Sequence, residues 1–310
     1  MRSRATDQGT VRQAGVVESG TGEAGEGAVG VDIGTDEKTA AAEPGTGKDA
    51  AVAGGPALAL AGVSHSYRGR GGTVTALGPV DLEIARGEFV TVVGPSGCGK
   101  STLLRLVAGF AAPSTGRITA SGRPVAGPDP ARGYVFQQHR LFPWLSVAGN
   151  IGFGLRGTPK AERRARVAEL LELTGLGDVG RARPYELSGG MQQRAAIARA
   201  LAPGPALLLM DEPFAALDAF TRERMQEEVR ELWRRAGTTV VFITHSVDEA
   251  VYLGTRVLAL SGRPGQVIFD RASDLPYEEQ PRGRPRFAAL REELTAVVRQ
   301  AASAGGGTAA

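Results

Sequence analysis

From residue 57 onward the apolar residues fall into short blocks separated by Gly, Asp and Pro, and the spacing within each block predicts its backbone. Leu58 and Leu60 alternate with small residues, Val74 to Ile84 carries a longer alternation, and Glu88-Phe89-Val90-Thr91-Val92-Val93 is almost continuously apolar. These are strand patterns. Two later blocks, 206–210 and 238–244, are Leu-rich or β-branched, as expected of parallel strands covered on both faces. Helical periodicity runs over 100–109, over 161–174 with Val167, Leu170, Leu171 and Leu173, over 188–201 and over 221–236. A Gly262-Arg263-Pro264-Gly265 turn precedes a last amphipathic helix with Phe287, Leu290, Leu294 and Val297 on one face. Strands alternating with helices predict an α/β core.

The beginning of the chain breaks this pattern. It holds no aromatic side chain before Tyr67 and is rich in Gly, Ala, Thr and Glu, so it cannot bury enough surface to offset the entropy of ordering it. We expect a flexible extension over 1–55, an ordered domain over 56–285 and a C-terminal helix with a flexible tail over 286–310. Removing the extension should leave the activity intact. Within it Gly45-Thr46-Gly47-Lys48 imitates a phosphate loop, but Ala42 stands where the first Gly is needed and Asp49 where a hydroxyl is needed. No apolar stretch follows the Met-Arg-Ser-Arg start and no run of 18 apolar residues occurs, so neither a secretory leader nor a membrane span is expected. A single cysteine, Cys98, cannot build an internal disulfide framework, which is compatible with a reducing compartment. The 36 Lys and Arg nearly balance the 33 Asp and Glu, and the Arg residues are interspersed with acids along the helices. That is the pattern of a solvated mixed-charge surface rather than a nucleic-acid groove.

Three segments carry chemistry. Gly94-Pro95-Ser96-Gly97-Cys98-Gly99-Lys100-Ser101-Thr102 follows a strand and opens a helix. It is a Walker A loop, in which glycines let backbone N–H groups turn around phosphates, Lys100 bridges β and γ, and Ser101 offers a hydroxyl to Mg²⁺. Leu207-Leu208-Leu209-Met210-Asp211-Glu212-Pro213 is an apolar strand ending in two carboxylates. Asp211 is placed to hold Mg²⁺ and Glu212 to polarise an attacking water, where an isolated pair would read as a helix cap. Between them lies Leu187-Ser188-Gly189-Gly190-Met191-Gln192-Gln193-Arg194, whose Ser and glycines at a helix start form a second anion cradle.

With these three segments in this order, the chain resembles the ATP-binding-cassette (ABC) family. The Ser188 segment resembles the family signature, departing from its commonest form only at Met191. The resemblance implies a P-loop NTPase fold: a RecA-like mixed sheet, an N-terminal antiparallel β subdomain, and an inserted helical subdomain at about 139–190. It implies ATP and Mg²⁺ as ligands. Tyr67 resembles the aromatic that stacks on adenine, although the residue alone reads equally as a strand-end Tyr. Gln137, with Gln138 as rival, resembles the glutamine that reaches the metal. Asp218 resembles the carboxylate at the dimer seam, and His245, 34 residues after Asp211, the switch histidine that contacts the γ-phosphate. Cys98 sits where a positive environment would lower its pKa, or merely fills space.

The family works in pairs, so Lys100 of one subunit and Ser188 of the other are expected to close over one ATP, most simply as a homodimer. Leu141-Phe142-Pro143-Trp144-Leu145-Ser146 resembles the groove that receives a coupling helix from a separate membrane permease, unless Phe142 and Trp144 pack internally. A chain without a span then resembles the ATPase of a bacterial importer at the cytoplasmic face of the membrane, served indirectly by a periplasmic or lipid-anchored solute-binding protein. Leu141 to Ser146, together with Asp218-Ala219-Phe220-Thr221-Arg222 and Gly262-Arg263-Pro264-Gly265, look most similar to the nitrate, sulfonate, taurine and bicarbonate branch. The rival is an ABC ATPase of DNA repair or translation. Against it stand the single cassette, the lack of zinc-type cysteine spacing, and only 88 positions between Lys100 and Ser188, too few for a coiled-coil insertion.

Overall fold

The computed structural model describes residues 55–69 and 72–305. Except for Gly55, the expected extension and its imitation phosphate loop lie outside them. Strands β1 (Leu58–Gly69) and β2 (Gly72–Ile84) form an antiparallel hairpin, followed by β3 (Phe89–Val93), α1 (Lys100–Ala108), β4 (Thr115–Ala120), β5 (Arg123–Pro124) and β6 (Arg132–Val135). Three helices come next, α2 (Val147–Ile151), α3 (Lys160–Leu173) and α4 (Gly189–Leu201). The chain continues through β7 (Leu207–Asp211), α5 (Ala219–Ala236), β8 (Thr239–Ile243), α6 (Val247–Leu253), β9 (Arg256–Leu260), β10 (Val267–Ala272) and α7 (Pro285–Gly305).

Two sheets result, an antiparallel one in the order β2-β1-β4-β5 and a six-stranded one in the order β10-β9-β3-β8-β7-β6. In the second, β9, β3, β8, β7 and β6 run parallel and β10 closes the edge antiparallel. Its central strands are buried at every position of β3 and β8, which explains their unbroken apolar runs. Period-two alternation divides them between two cores. Val90, Val92, Leu207, Leu209, Val241 and Ile243 face α1 and the antiparallel sheet. Phe89, Val93, Leu208, Met210, Val240 and Phe242 face α4, α5, α6 and the helical segment. The expected mixed sheet, antiparallel subdomain and helical insertion are all present. Phe287 and Leu294 of α7 are buried in this second core, so the last helix packs with the domain rather than beside it.

Helix ends follow local chemistry. Ser146, Ser188, Asp218 and Ser246 cap α2, α4, α5 and α6 through side-chain oxygens that accept from a backbone N–H three residues on. The last turn of α5 carries Arg234 and Arg235 and ends at Gly237 with φ 61°.

Candidate functional site

The parallel strands bring their carboxyl ends together, and the four candidate segments leave adjacent strands: the phosphate loop from β3, His245 from β8, the two carboxylates from β7 and Gln137 from β6. Ligand sites of open α/β sheets lie at this end. The turn at Gly99 requires glycine, since φ is 101° and a Cβ there would lie 2.6 Å from the Ala76 carbonyl. No side chain caps the N-terminus of α1, so its first amides face the loop and suit an anion. Lys100 is buried, and its Nζ donates to the carbonyls of Gly94 at 2.8 Å and Pro95 at 3.0 Å, inside the turn. Ser96, Gly97, Gly99, Lys100, Ser101 and Thr102 line a cleft of about 440 Å³ together with Tyr67, Glu212 and Arg263. Tyr67 stands at its mouth, with its hydroxyl 3.1 Å from Thr102 Oγ1 and its ring partly exposed.

At the inner end of the cleft Ser101 Oγ donates to Asp211 Oδ1 at 3.0 Å. Glu212 is one of three non-glycine residues with positive φ among the described residues, at 45°, a conformation costing on the order of 1–3 kcal/mol that clusters at functional sites. Its backbone N–H donates to the Ile243 carbonyl of β8, which fixes the turn. Its Oε2 lies 3.5 Å from Gln137 Nε2 and 3.5 Å from His245 Nδ1. Gln137 thus lies within reach of this carboxylate. Hard oxygen donors next to a phosphate loop suit Mg²⁺, which completes its shell with substrate phosphates and water.

Two participants escaped the sequence reading. Tyr134 on β6 donates to Asp211 Oδ2 at 3.1 Å, and burial together with the Asp211 charge pushes its phenol well above the usual range, so it stays a donor. The contact depends on β6 lying beside β7, which no local pattern reveals. Arg263, in a segment whose sequence suggests a turn and the branch resemblance but no phosphate contact, donates from Nε to the Gly97 carbonyl at 3.4 Å, where a cation would meet a phosphate; its presence in a Gly-Pro turn is the available signal.

Other candidates are elsewhere. Ser188, Gly189, Gly190 and Asp218 do not line the cleft; they sit side by side at the starts of α4 and α5, where a Cβ on Gly190 would come 2.9 Å from Thr221 Cγ2. A low-pKa Cys98 is not found. The side chain is buried, and desolvation raises its pKa despite Lys100 Nζ 3.9 Å away. Alkylation of Cys98 in the folded chain is therefore expected to be slow. Disulfide-exchange kinetics with a chromogenic disulfide should give one thiol reacting about 10²-fold slower than a free cysteine, rising to the free rate in denaturant.

The family model described as ABC transporter matches residues 77–215. The taurine import ATP-binding protein TauB of Rhizobium johnstonii is 50% identical over 237 residues, covering 74% of this chain and 90% of the relative. An uncharacterized ABC transporter ATP-binding protein of Methanocaldococcus jannaschii, MJ0412, is 48% identical over 229 residues, 73% of this chain and 85% of the relative. Among solved structures, the dimeric post-hydrolysis state of the ATP-binding cassette MJ0796 bound to ADP and Pi superposes with a TM-score of 0.61 at 35% identity, covering 69% of this chain and 98% of that one. Similarity over nearly the whole length of such relatives, with the strand-end arrangement above, places this chain in the ABC transporter family as an ATP-binding, ATP-hydrolysing cassette.

Proposed function

We propose that this cassette energises uptake of a small anionic or zwitterionic sulfonate, taurine being the first solute to test, through a separate permease at the cytoplasmic face of the membrane. The meeting of Gln137, His245 and strained Glu212 at one carboxylate oxygen carries the mechanistic part of this reading. Glu212 takes the proton of the attacking water as the oxygen bonds to the γ-phosphorus. The γ-phosphoryl bond to ADP breaks, giving ADP and inorganic phosphate. Lys100 and the α1 amides bind the β- and γ-phosphates, His245 lies beside the γ-phosphate, and Tyr67 stacks on the adenine. Mg²⁺ held by Ser101, Asp211 and Gln137 would neutralise phosphate charge. Ser188 to Gly190 and Asp218, set away from the cleft, suit a role against the ATP of a second copy, and the dimeric relative supports that assignment.

Docking to the permease is assigned to the segment around Trp144. Trp144 is 68% exposed, although Phe142 beside it packs on Phe153 with centroids 4.4 Å apart. A neighbouring groove of about 530 Å³ combines Leu145, Phe153 and Val167 with Arg156, Arg163 and Arg164. No helix among the described residues is long and apolar enough to cross a membrane, so a permease would be a separate chain or segment. The Trp144→Ala change keeps the main-chain carbonyl that accepts from Arg183. It should leave ATP hydrolysis by the isolated cassette within about twofold and lower uptake of labelled taurine in cells about tenfold or more, as loss of an exposed aromatic anchor does. Equal uptake by Trp144→Ala would remove the docking assignment. Uptake of nitrate but not taurine in cells carrying the wild-type chain would replace the solute.

A further inference from the structure

Behind His245, on the side away from the cleft, the structure buries a carboxylate that the reaction does not use. Glu249 of α6 is 6% exposed. Its Oε2 accepts from the Thr244 hydroxyl at 2.5 Å, and its Oε1 accepts from Gln226 Nε2 at 3.2 Å. Arg222 Nε lies 3.8 Å from the same Oε1 with no closer partner, so the charge is compensated at a distance. A buried charge is costly unless it is well paired, and truncating one partner leaves the others uncompensated. Burial pushes the Glu249 carboxyl up, against Thr244, Arg222 and Gln226, which hold it down.

The partners define what the carboxylate joins. Thr244 directly precedes His245, and its Oγ1 also accepts from the Ser246 N–H at 3.0 Å, closing the turn that carries the histidine. Arg222 Nη2 donates to the Leu217 carbonyl at 2.8 Å, next to Asp218. Gln226 Oε1 accepts from Arg282, whose guanidinium lies 3.7 Å over the Tyr252 ring just ahead of α7. We propose that Glu249 is a positioning residue: its buried carboxylate fastens the turn carrying His245 to the turn carrying Asp218, so that the γ-phosphate contact and the partner-facing loop keep one relative placement. Gln226 and Arg282 extend the same clasp to the C-terminal helix. The inference rests on the reading that His245 acts in hydrolysis.

In Glu249→Gln the shape is kept, but one oxygen becomes an NH₂ that faces either the Thr244 hydroxyl or the Gln226 amide and Arg222. Turnover of Mg·ATP by the full chain should fall about tenfold to a hundredfold, the cost of a misplaced group, with KM within about threefold. A structural defect alone would lower turnover by the same factor in any background. If Glu249 acts through the histidine, adding Glu249→Gln to His245→Ala should cost much less than it does in the wild-type background. Equal losses in both backgrounds, or unchanged turnover in Glu249→Gln, would overturn the inference alone; unchanged turnover in His245→Ala would overturn it together with the reading beneath it. Should Glu249→Gln fail to fold, the Thr244 pair decides: Thr244→Ser keeps the clasp and should retain wild-type turnover, and Thr244→Val should lose it. Equal turnover in those two variants would sink the clasp.

Discussion

The Glu212→Gln variant is expected to bind Mg·ATP with about wild-type affinity and to hydrolyse it about 10²- to 10⁴-fold more slowly, the range attributed to a positioned general base. The substitution is chosen for what it leaves in place. Glutamine has the shape of glutamate, so the backbone at φ 45° and the N–H bond to the Ile243 carbonyl are kept. The oxygen facing Gln137 and His245 is replaced or turned, and with it goes the ability to take a proton. Because ATP persists, closed cassette pairs should accumulate, and size exclusion with Mg·ATP should show a dimer where the wild type elutes mostly as monomer. Single-turnover hydrolysis separates the chemical step from product release. A variant that still turns over at more than about a tenth of the wild-type rate would remove Glu212 as base. One that neither hydrolyses nor dimerises would show that the cassette needs another chain to assemble.

Most of the catalytic edge was readable because it is built from contiguous segments. Strand β3 runs straight into the phosphate loop and α1, and β7 runs straight into Asp211 and Glu212, so local pattern and chemistry coincide. Strands β4, β5, β6, β9 and β10 were not read. β5 has two residues, β6 has four including Gly133, and β4 and β10 are largely exposed, so none of them presents a continuous apolar run; β9 has the length and nearly the burial of β3 and was open to the same reading. Their absence from the reading hid the order β8-β7-β6, and with it the Tyr134–Asp211 contact. Glu249 shows a different limit. An acidic residue in the first turn of a short helix reads as a favourable dipole interaction at the surface. Only the packing of α5 and the C-terminal segment against α6 turns it into a buried group. Local sequence carried the residues assigned to phosphate, and tertiary packing determined those that hold them.

Lys100→Met separates binding from chemistry in the opposite sense to Glu212→Gln. Methionine matches the apolar stem in a site where the lysine is 6% exposed, so packing in the α1 core is preserved while the ammonium is lost. The ammonium stands inside the turn, within hydrogen-bond distance of the Gly94 and Pro95 carbonyls. A phosphate entering the loop gains two charge-assisted contacts from it in a water-poor setting. Losing two such bonds corresponds to roughly 3–4 kcal/mol, or about 10²- to 10³-fold in ATP affinity. Fluorescent-nucleotide titration should show that loss. Turnover should fall at least as far even at saturating ATP, because the developing γ-phosphate charge loses its nearest cation. The two carbonyls also lose their donor, so a small drop in thermal midpoint without nucleotide is expected, and the stabilisation that Mg·ATP gives the wild type should vanish. Wild-type affinity in Lys100→Met would mean that the helix amides and Arg263 hold the phosphates, and would move the lysine from binding to the transition state alone.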